Sequence, residues 1–271
     1  VVGQMSFAAS IVTYRTPPQE LRQALATLSE SCAERITVVD HSGNDDLAPT
    51  VAQYPRAEYI RHENRGYGSG HNVALRQSLA DGFDIHLVIN SDVEIAPADI
   101  DRMAGYMDVN TDIGALHPRM LNSDGSPQYT VRLIPTPLDL ILRRFLPKWI
   151  ARRRRQRYEL RHIDHTRPFN APYMQGSFMM MSCDALRRVG LFDERFFLYP
   201  EDIDMSRRLH RESTTLYYPY ATAVHHHRAA SYHNLRMLGI HVVNMIRYFN
   251  KWGWISDDER RRFNAPLLKD R

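Results

Sequence analysis

The stretch Ile85-His-Leu-Val-Ile-Asn90-Ser91-Asp92-Val93-Glu94 decides how this chain is read. It opens as an apolar run with Val and Ile, which predicts a buried strand. It ends in Asn90-Ser91-Asp92, polar residues with no place in a core. Open α/β sheets bind ligands beyond the carboxyl ends of their strands. A carboxylate delivered there by a buried parallel strand suits a divalent metal, and a metal there suits a phosphate. Taken alone, Asp92 is more simply a cap for the following turn. The segments on either side shift the balance.

Upstream, Met5 to Tyr14 predicts a first strand. Thr16-Pro17-Pro18-Gln19-Glu20 predicts a helix start, with a capping hydroxyl, prolines in the first turn and an early acid. Ile36 to Asp40 and Ala57 to Arg61 predict two more strands, the former again ending in an aspartate. Asn64-Arg-Gly66-Tyr-Gly68-Ser-Gly70 reads as a glycine-rich loop before a helix from His71 to Ala80. Downstream, a helix over Pro97 to Val109 and a strand over Ile113 to Pro118 are expected. Strands alternating with helices call for a mostly parallel, doubly wound α/β sheet.

The rhythm breaks after Asn122-Ser-Asp-Gly125. Arg132 to Arg157 is proline-punctuated, apolar and basic, ending in the run Arg152 to Arg155. Such a segment reads as a membrane-surface element or, about equally, as a solvated loop. Strand character resumes at Gln175 to Met181, followed by a short helix over Ser182 to Val189 closed by Gly190, and then by the Phe192 to Asp204 block and a helix through Arg211. A strand then reaches His225, and a last helix over Ser231 to Trp254 places Leu235, Leu238, Val242, Met245 and Phe249 near one face. That face could pack on its own domain, on a second copy in a homodimer, or on lipid. The organisation expected is a nucleotide-binding half over residues 1–121, a catalytic half of the same domain over 122–230, and a helical extension over 231–271.

Composition narrows the class. The 271 residues are 43% hydrophobic and 24% charged, ordinary for a globular domain, with a formal charge of +4. No apolar run is long enough to span a membrane, and no leader-like segment is read at the start. Cys32 and Cys183 form no disulfide framework or zinc spacing, which points to a reducing compartment. No nucleic-acid signature is present, so nucleic acid is not an expected partner.

Asp40 and Asp92 are expected to face one crevice, Asp40 accepting hydrogen bonds from a base or ribose and Asp92 holding a metal. The glycines Gly66, Gly68 and Gly70 permit close backbone approach, and the helix after them offers N–H groups to negative charge. Glu201-Asp202-x-Asp204 gathers carboxylates at a helix start, where crowding raises a pKa towards general-base use. His225-His226-His227 offers imidazoles on an extended segment, so that alternate rings could turn inwards.

Val38-Val-Asp40, Asn64-x-Gly66-Tyr-Gly68, Asn72, Asn90-Ser-Asp92, Gly176-Ser-Phe178, Gly190-x-Phe-Asp193-Glu-x-Phe-Phe-x-Tyr199-x-Glu201-Asp202-x-Asp204 and Pro219-x-Ala221 to His225 occur in that order. The whole resembles a family 2 glycosyltransferase of the GT-A fold, and more narrowly the rhamnosyltransferase-like branch of bacterial O-antigen and cell-wall polysaccharide assembly. The resemblance runs from about Ser6 to about Ser231, with the Phe192 to Asp204 block its most specific part.

The resemblance implies an inverting transfer with Asp202 as general base and Glu201 beside it. It implies donor contacts from Thr13, Tyr14, Asp40, Asn64, Gly66, Asn72, Ser91 and Asp92, and an acceptor cleft lined by Gly176, Ser177 and Asp204. It implies Mg2+ or Mn2+ held by Asp92 and His225. The donor it implies is a nucleotide-sugar such as dTDP-rhamnose, and the acceptor a polyprenyl-diphosphate-linked saccharide or growing glycan. The place it implies is the cytoplasmic face of the bacterial inner membrane, held peripherally. Asn90 stands where the family's first Asp of Asp-x-Asp is usual, and Ser91 where Pro is usual. The rival readings are a UDP-sugar donor, a nucleotidyltransferase, and a non-catalytic glycan- or membrane-binding protein, which would lack the acids at positions 92 or 202.

Overall fold

The structure is a computed structural model that describes residues 5–140, 152–226 and 235–269. Its centre is a sheet that takes strands from before and after residue 121. Strands β1 (Phe7–Thr13), β2 (Arg35–Asp40), β3 (Ala57–Arg61) and β4 (Ile85–Ile89) lie in the order β3-β2-β1-β4, all parallel. Three further strands are β5 (Val93–Ile95), β6 (Ile113–Asn122) and β7 (Pro127–Gln128), β7 pairing with β6. Short strands β8 (Val131–Arg132) and β10 (Tyr173–Met174) pair with each other outside the main sheet, and β9 (Phe169–Asn170) pairs with β12 (Thr214–His225). Strand β11 (Phe178–Ser182) inserts antiparallel between β4 and β6, and β12 lies parallel to β6. The sheet is therefore mostly parallel, with β5 and β11 as the main reversed strands.

Period-2 alternation sends side chains into two cores. Phe7, Ala9, Ile11, Leu87 and Ile89 meet Leu21, Leu25 and Leu28 of α1 (Pro18–Glu30) and Ile100 and Met103 of α4 (Pro97–Val109). Val88, Met179 and Met181 meet Leu75 of α3 (Tyr67–Ala80), Leu186 of α6 (Cys183–Val189) and Met205 of α7 (Glu201–Glu212). Between α2 (Ala48–Val51) and these later helices the chain also forms α5 (Arg152–Tyr158). Ser182 caps α6 by accepting from the Ala185 N–H, and Gly190 closes it at φ 80°.

Four expectations change. Pro17, not a hydroxyl, stands at the cap of α1, with no side-chain cap bond. The glycine segment is the first turn of α3, which starts at Tyr67 rather than His71. Its glycines serve packing: a Cβ on Gly70 would sit 2.8 Å from Val12 Cγ2 and from His41 Cε1, and one on Gly68 2.8 Å from Phe192 Cβ. The N–H of Tyr67 donates to the Phe197 carbonyl at 2.9 Å, so this helix start is covered by protein.

The last helix, α8 (Leu235–Trp252), buries Asn244, Tyr248 and Phe249, with Met245 packed beside them, whereas Val242 is exposed. Val242 shares the face of Met245 and Phe249, three and seven residues on, so spacing alone does not decide its burial. The terminal helix α9 (Asp258–Asn264) folds back on the body: Arg207 of α7 makes paired hydrogen bonds to the buried Asp257 at 2.7 and 2.5 Å. Residues 141–151 of the basic stretch lie outside the described residues. No helix among the described residues is long and apolar enough to cross a membrane.

Candidate active site

The carboxyl end of β4 meets the amino end of β11, because the Asn90 N–H donates to the Ser177 carbonyl at 3.0 Å. Asp92 follows in the turn to β5. Strand β5 pairs with β12 in the register His225↔Val93, which carries the last residue of β12 to Asp92. Alternation turns His225 inwards, buried, and His226 outwards to Glu94 at 3.1 Å. His227 lies outside the described residues.

His225 Nδ1 is 3.0 Å from Gln128 Oε1, and Nε2 faces Asp92 Oδ1 at 3.3 Å. A ring N–H donated to Gln128 leaves the Nε2 lone pair towards the carboxylate, the arrangement that a metal-ligating histidine takes. Carboxylate oxygen is a ligand for Mg2+ or Mn2+, and imidazole nitrogen for transition-metal ions. These residues therefore fit a divalent cation. Among the described residues no group of three or more His, Cys, Asp and Glu gathers as a metal site, so the other ligands would come from a bound molecule or water.

Across the cleft, α7 begins at Glu201. Asp202 Oδ2 accepts from the Gly176 N–H at 3.0 Å and from the Tyr173 hydroxyl at 3.1 Å, while Oδ1 accepts from the Ile203 N–H at 2.8 Å. Burial pushes the Asp202 carboxyl above its usual range; these donors, and Arg132 nearby, pull the other way. Glu201 is pushed well above its usual range, by burial first and then by the charge of Asp202. Glu201 Oε2 and Ser177 Oγ are buried and have no hydrogen-bond partner among the described residues. A Cβ on Gly176 would come within 3.2 Å of Asp202 Cβ, so glycine keeps room for the carboxylate.

Tyr67 joins the two sides. Its hydroxyl lies 2.9 Å from Asn90 Oδ1 and 2.6 Å from the Gly176 carbonyl. Burial, then the charges of Glu201, Asp202 and Asp92, hold its pKa well above the usual value. Asp92 and Asp202 thus act on one phenol from two strands and a helix far apart in sequence.

A family profile described as "Glycosyl transferase family 2" matches residues 9–190 of the chain. The chain belongs to this family. It is 30% identical over 234 residues to an N-acetylglucosaminyl-diphospho-decaprenol L-rhamnosyltransferase of Mycobacterium tuberculosis, covering 79% of this chain and 74% of the relative. It is also 30% identical over 210 residues to a low-salt glycan biosynthesis hexosyltransferase of Haloferax volcanii, covering 76% of this chain and 62% of the relative.

Two solved structures share the fold. GalNAc-T7 with UDP, GalNAc and Mn2+ superposes with a TM-score of 0.67 at 14% identity, over 97% of this chain and 50% of its own. The Pyrobaculum calidifontis mannosyltransferase PcManGT with GDP-Man and Mn2+ gives 0.63 at 14% identity, over 97% of this chain and 69% of its own. The chain is thus a family 2, rhamnosyltransferase-like glycosyltransferase with the GT-A fold, and the nucleotidyltransferase reading falls.

Within this family 2 enzyme the remaining expected residues divide. Asp204 does not line the cleft: it is fully buried on the far side of α7, held by Arg208 at 2.9 Å, Lys251 at 2.6 Å and the Trp252 indole at 2.8 Å. Positions two apart on a helix point about 200° from one another, so Asp202 and Asp204 cannot share a face. Asp40 is fully buried and accepts from Thr13 Oγ1 at 2.8 Å, Ser42 Oγ at 2.7 Å and the Tyr59 hydroxyl at 3.0 Å. Tyr14 is exposed beside it, and Ser91 donates to Glu20 at 2.7 Å. Asn64 caps the Gly66 N–H at 3.3 Å, and Asn72 fastens α3 to the Phe192 backbone at 2.9 and 3.0 Å.

Three residues of the site carried no signal strong enough to be singled out: Tyr67, Gln128 and Arg132. Arg132 comes near Asp202 because β8 pairs with β10 in the register Tyr173↔Arg132 and the Tyr173 hydroxyl donates to Asp202. A tyrosine inside a glycine turn was the one visible clue to Tyr67.

Proposed function

We propose that the chain transfers rhamnose from dTDP-rhamnose, with inversion, to a polyprenyl-diphosphate-linked saccharide. The observation that carries the reading is that the Tyr67 hydroxyl reaches both Asn90, two residues before Asp92, and Gly176, whose N–H holds Asp202. The name of the mycobacterial relative supports both the sugar and the lipid-diphosphate acceptor.

A carboxylate offers about four acceptor positions. Asp202 uses three on Gly176, Tyr173 and Ile203, which leaves one for an acceptor hydroxyl. In this reading Asp202 takes that proton as the hydroxyl oxygen bonds to the anomeric carbon, and the bond from that carbon to the diphosphate oxygen breaks. Glu201, whose carboxyl burial pushes well above its usual range, lies beside the base and orients the acceptor. Asp92 and His225 would hold Mg2+ or Mn2+, which when bound would offset charge on the leaving diphosphate. Thr13, Tyr14 and Asp40 form the nucleoside end, with Asn64, Gly66, Asn72 and Ser91 shaping the donor pocket and Gly176 and Ser177 the sugar cleft. The enzyme works in the cytoplasm, peripherally on the inner face of a bacterial inner membrane.

The test supplies dTDP-rhamnose, or UDP- and GDP-sugars, with a prenyl-diphospho-N-acetylglucosamine acceptor, and reads product mass and anomeric configuration. Rhamnosyl product of inverted configuration is expected. Asp202→Asn is expected to keep dTDP binding and lose about 10²- to 10⁴-fold in turnover. Retained turnover, or retained configuration, overturns the reading.

A further inference from the structure

A cavity of about 410 Å³ opens between α5, residues 133–136 and the C-terminal residues Asn264 and Leu268. It lies outside the cleft just described and has two kinds of wall. One is apolar, formed by Leu133, Ile134, Tyr158 and Leu268. The other is cationic, formed by Arg153, Arg154 and Arg157. Helical spacing explains the second wall: positions 153 and 157 are one turn apart, and 154 and 157 are neighbours on the same side. Arg155 leaves in another direction and pairs with Glu159 at 2.7 Å.

The three guanidiniums are not equivalent. Arg154 is engaged by Asp139 at 2.5 Å and by Thr136 Oγ1 at 2.8 Å. Arg153 and Arg157 are exposed and have no carboxylate partner among the described residues. The cavity therefore carries two uncompensated cations over an apolar floor. That combination recognises an anion borne on a hydrocarbon. Paired guanidiniums suit phosphate oxygens in particular, and the volume lies within the roughly 300–1,000 Å³ range of small-ligand sites.

Its position relative to the base is also fixed. The Tyr158 ring lies 6.0 Å from the Arg132 guanidinium, which lies 5.7 Å from the Tyr173 ring. The Tyr173 hydroxyl donates to Asp202 at 3.1 Å. One aromatic–arginine layer separates the cavity from the proposed base, and Leu133, Tyr158, Tyr173 and Ile203 belong to one apolar cluster.

We propose that this cavity seats the diphosphate and first isoprene units of the lipid carrier, the diphosphate on Arg153 and Arg157 and the isoprenes on Leu133, Ile134, Tyr158 and Leu268. The inference rests on the lipid-linked acceptor of the proposed function and commits to the substrate's lipid rather than to bilayer headgroups.

The probe is farnesyl diphosphate, titrated calorimetrically into the full chain, with inorganic pyrophosphate and phosphatidylglycerol vesicles as separate arms. Saturable binding of farnesyl diphosphate, tighter than that of pyrophosphate, is expected. Arg153→Ser and Arg157→Ser, both at exposed positions, should each weaken it by about tenfold or more while dTDP affinity stays unchanged. Equal affinity in the variants, farnesyl diphosphate no tighter than pyrophosphate, or full competition by the vesicles overturns the inference. Those failures leave the transferase reading intact when dTDP still binds and Asp202→Asn still abolishes transfer; loss of dTDP binding in the wild type would sink that reading instead.

Discussion

Tyr67 has one hydroxyl proton and two carbonyl-type oxygens within 3 Å, Asn90 Oδ1 and the Gly176 carbonyl. Removing the hydroxyl leaves both oxygens short of a donor and loosens Gly176, whose N–H holds Asp202. Tyr67→Phe should therefore lower stability by about 1–3 kcal/mol and reduce kcat more than it changes dTDP affinity; a steady-state and thermal-melt comparison checks both. At Glu201 the folded state raises the carboxyl pKa, so between the ordinary glutamate value and that raised value the folded chain binds more protons than the unfolded one. Stability linked to this group then falls as pH rises through that window. Glu201→Gln should melt higher than wild type at mildly alkaline pH, with the difference shrinking in acid. That Asp92, Asp202 and His225 lie at or beside element ends was legible from the strand and helix patterns. Asp204 was misplaced because the acids were taken together without the 100° step between successive helical residues. Tyr67 and Gln128 were not legible, since their partners lie 23 to 109 residues away.

Helix α8 carries no residue of the cleft, yet it holds the helix that does. Lys251 and Trp252 grip Asp204, Asn244 donates to the Leu198 carbonyl at 2.9 Å, and Arg247 donates to the Arg195 carbonyl at 2.6 Å. Behind them Arg207 and Asp257 form a buried ion pair stacked on Trp252, with the guanidinium 4.1 Å from that ring. Arg207 also holds Glu259 at 2.6 Å, so Asp257→Ala strips the guanidinium of one of its two carboxylates and should cost about 1–3 kcal/mol, read by urea unfolding. Helix α3 makes a different demand. A methyl at Gly70 meets Val12 and His41, and Gly70→Ala should cost about 1–3 kcal/mol by overpacking. Most strands and helices followed from hydrophobic period. The start of α3 did not, because glycines in a helix packed against its neighbours resemble glycines in a loop until the neighbours are known.

The molecule keeps several imidazoles uncharged inside its sheet layers. Ser10 Oγ bridges His71 Nδ1 and His86 Nε2 at 2.8 Å each, and His117 lies between the Phe178 carbonyl and Thr130. Burial lowers His86 and His117 to about 3 and His41 to about 4, and lowers His71 well below its usual value. Below the ordinary histidine value of about 6.5 the unfolded chain takes up protons that the folded chain refuses, so stability falls as pH drops from there through the folded values. The melting temperature should decline steadily below about pH 6.5; a flat profile down to about pH 4.5 would contradict it. At this scale the sequence announced the parallel half of the sheet and the family. It did not announce that β11 would run backwards between β4 and β6, because strand direction depends on a partner chosen late in the chain.

That reversed strand has a consequence for synthesis. As the polypeptide leaves the ribosome, β4 emerges about ninety residues before β11, and until then one margin of the growing sheet lacks its mate. An unpaired margin of apolar strand invites intermolecular pairing. Chains halted before Phe178 should accumulate as insoluble material, whereas chains that run past His225, and so supply both β11 and β12, should stay soluble, as fractionation of staged truncations reads.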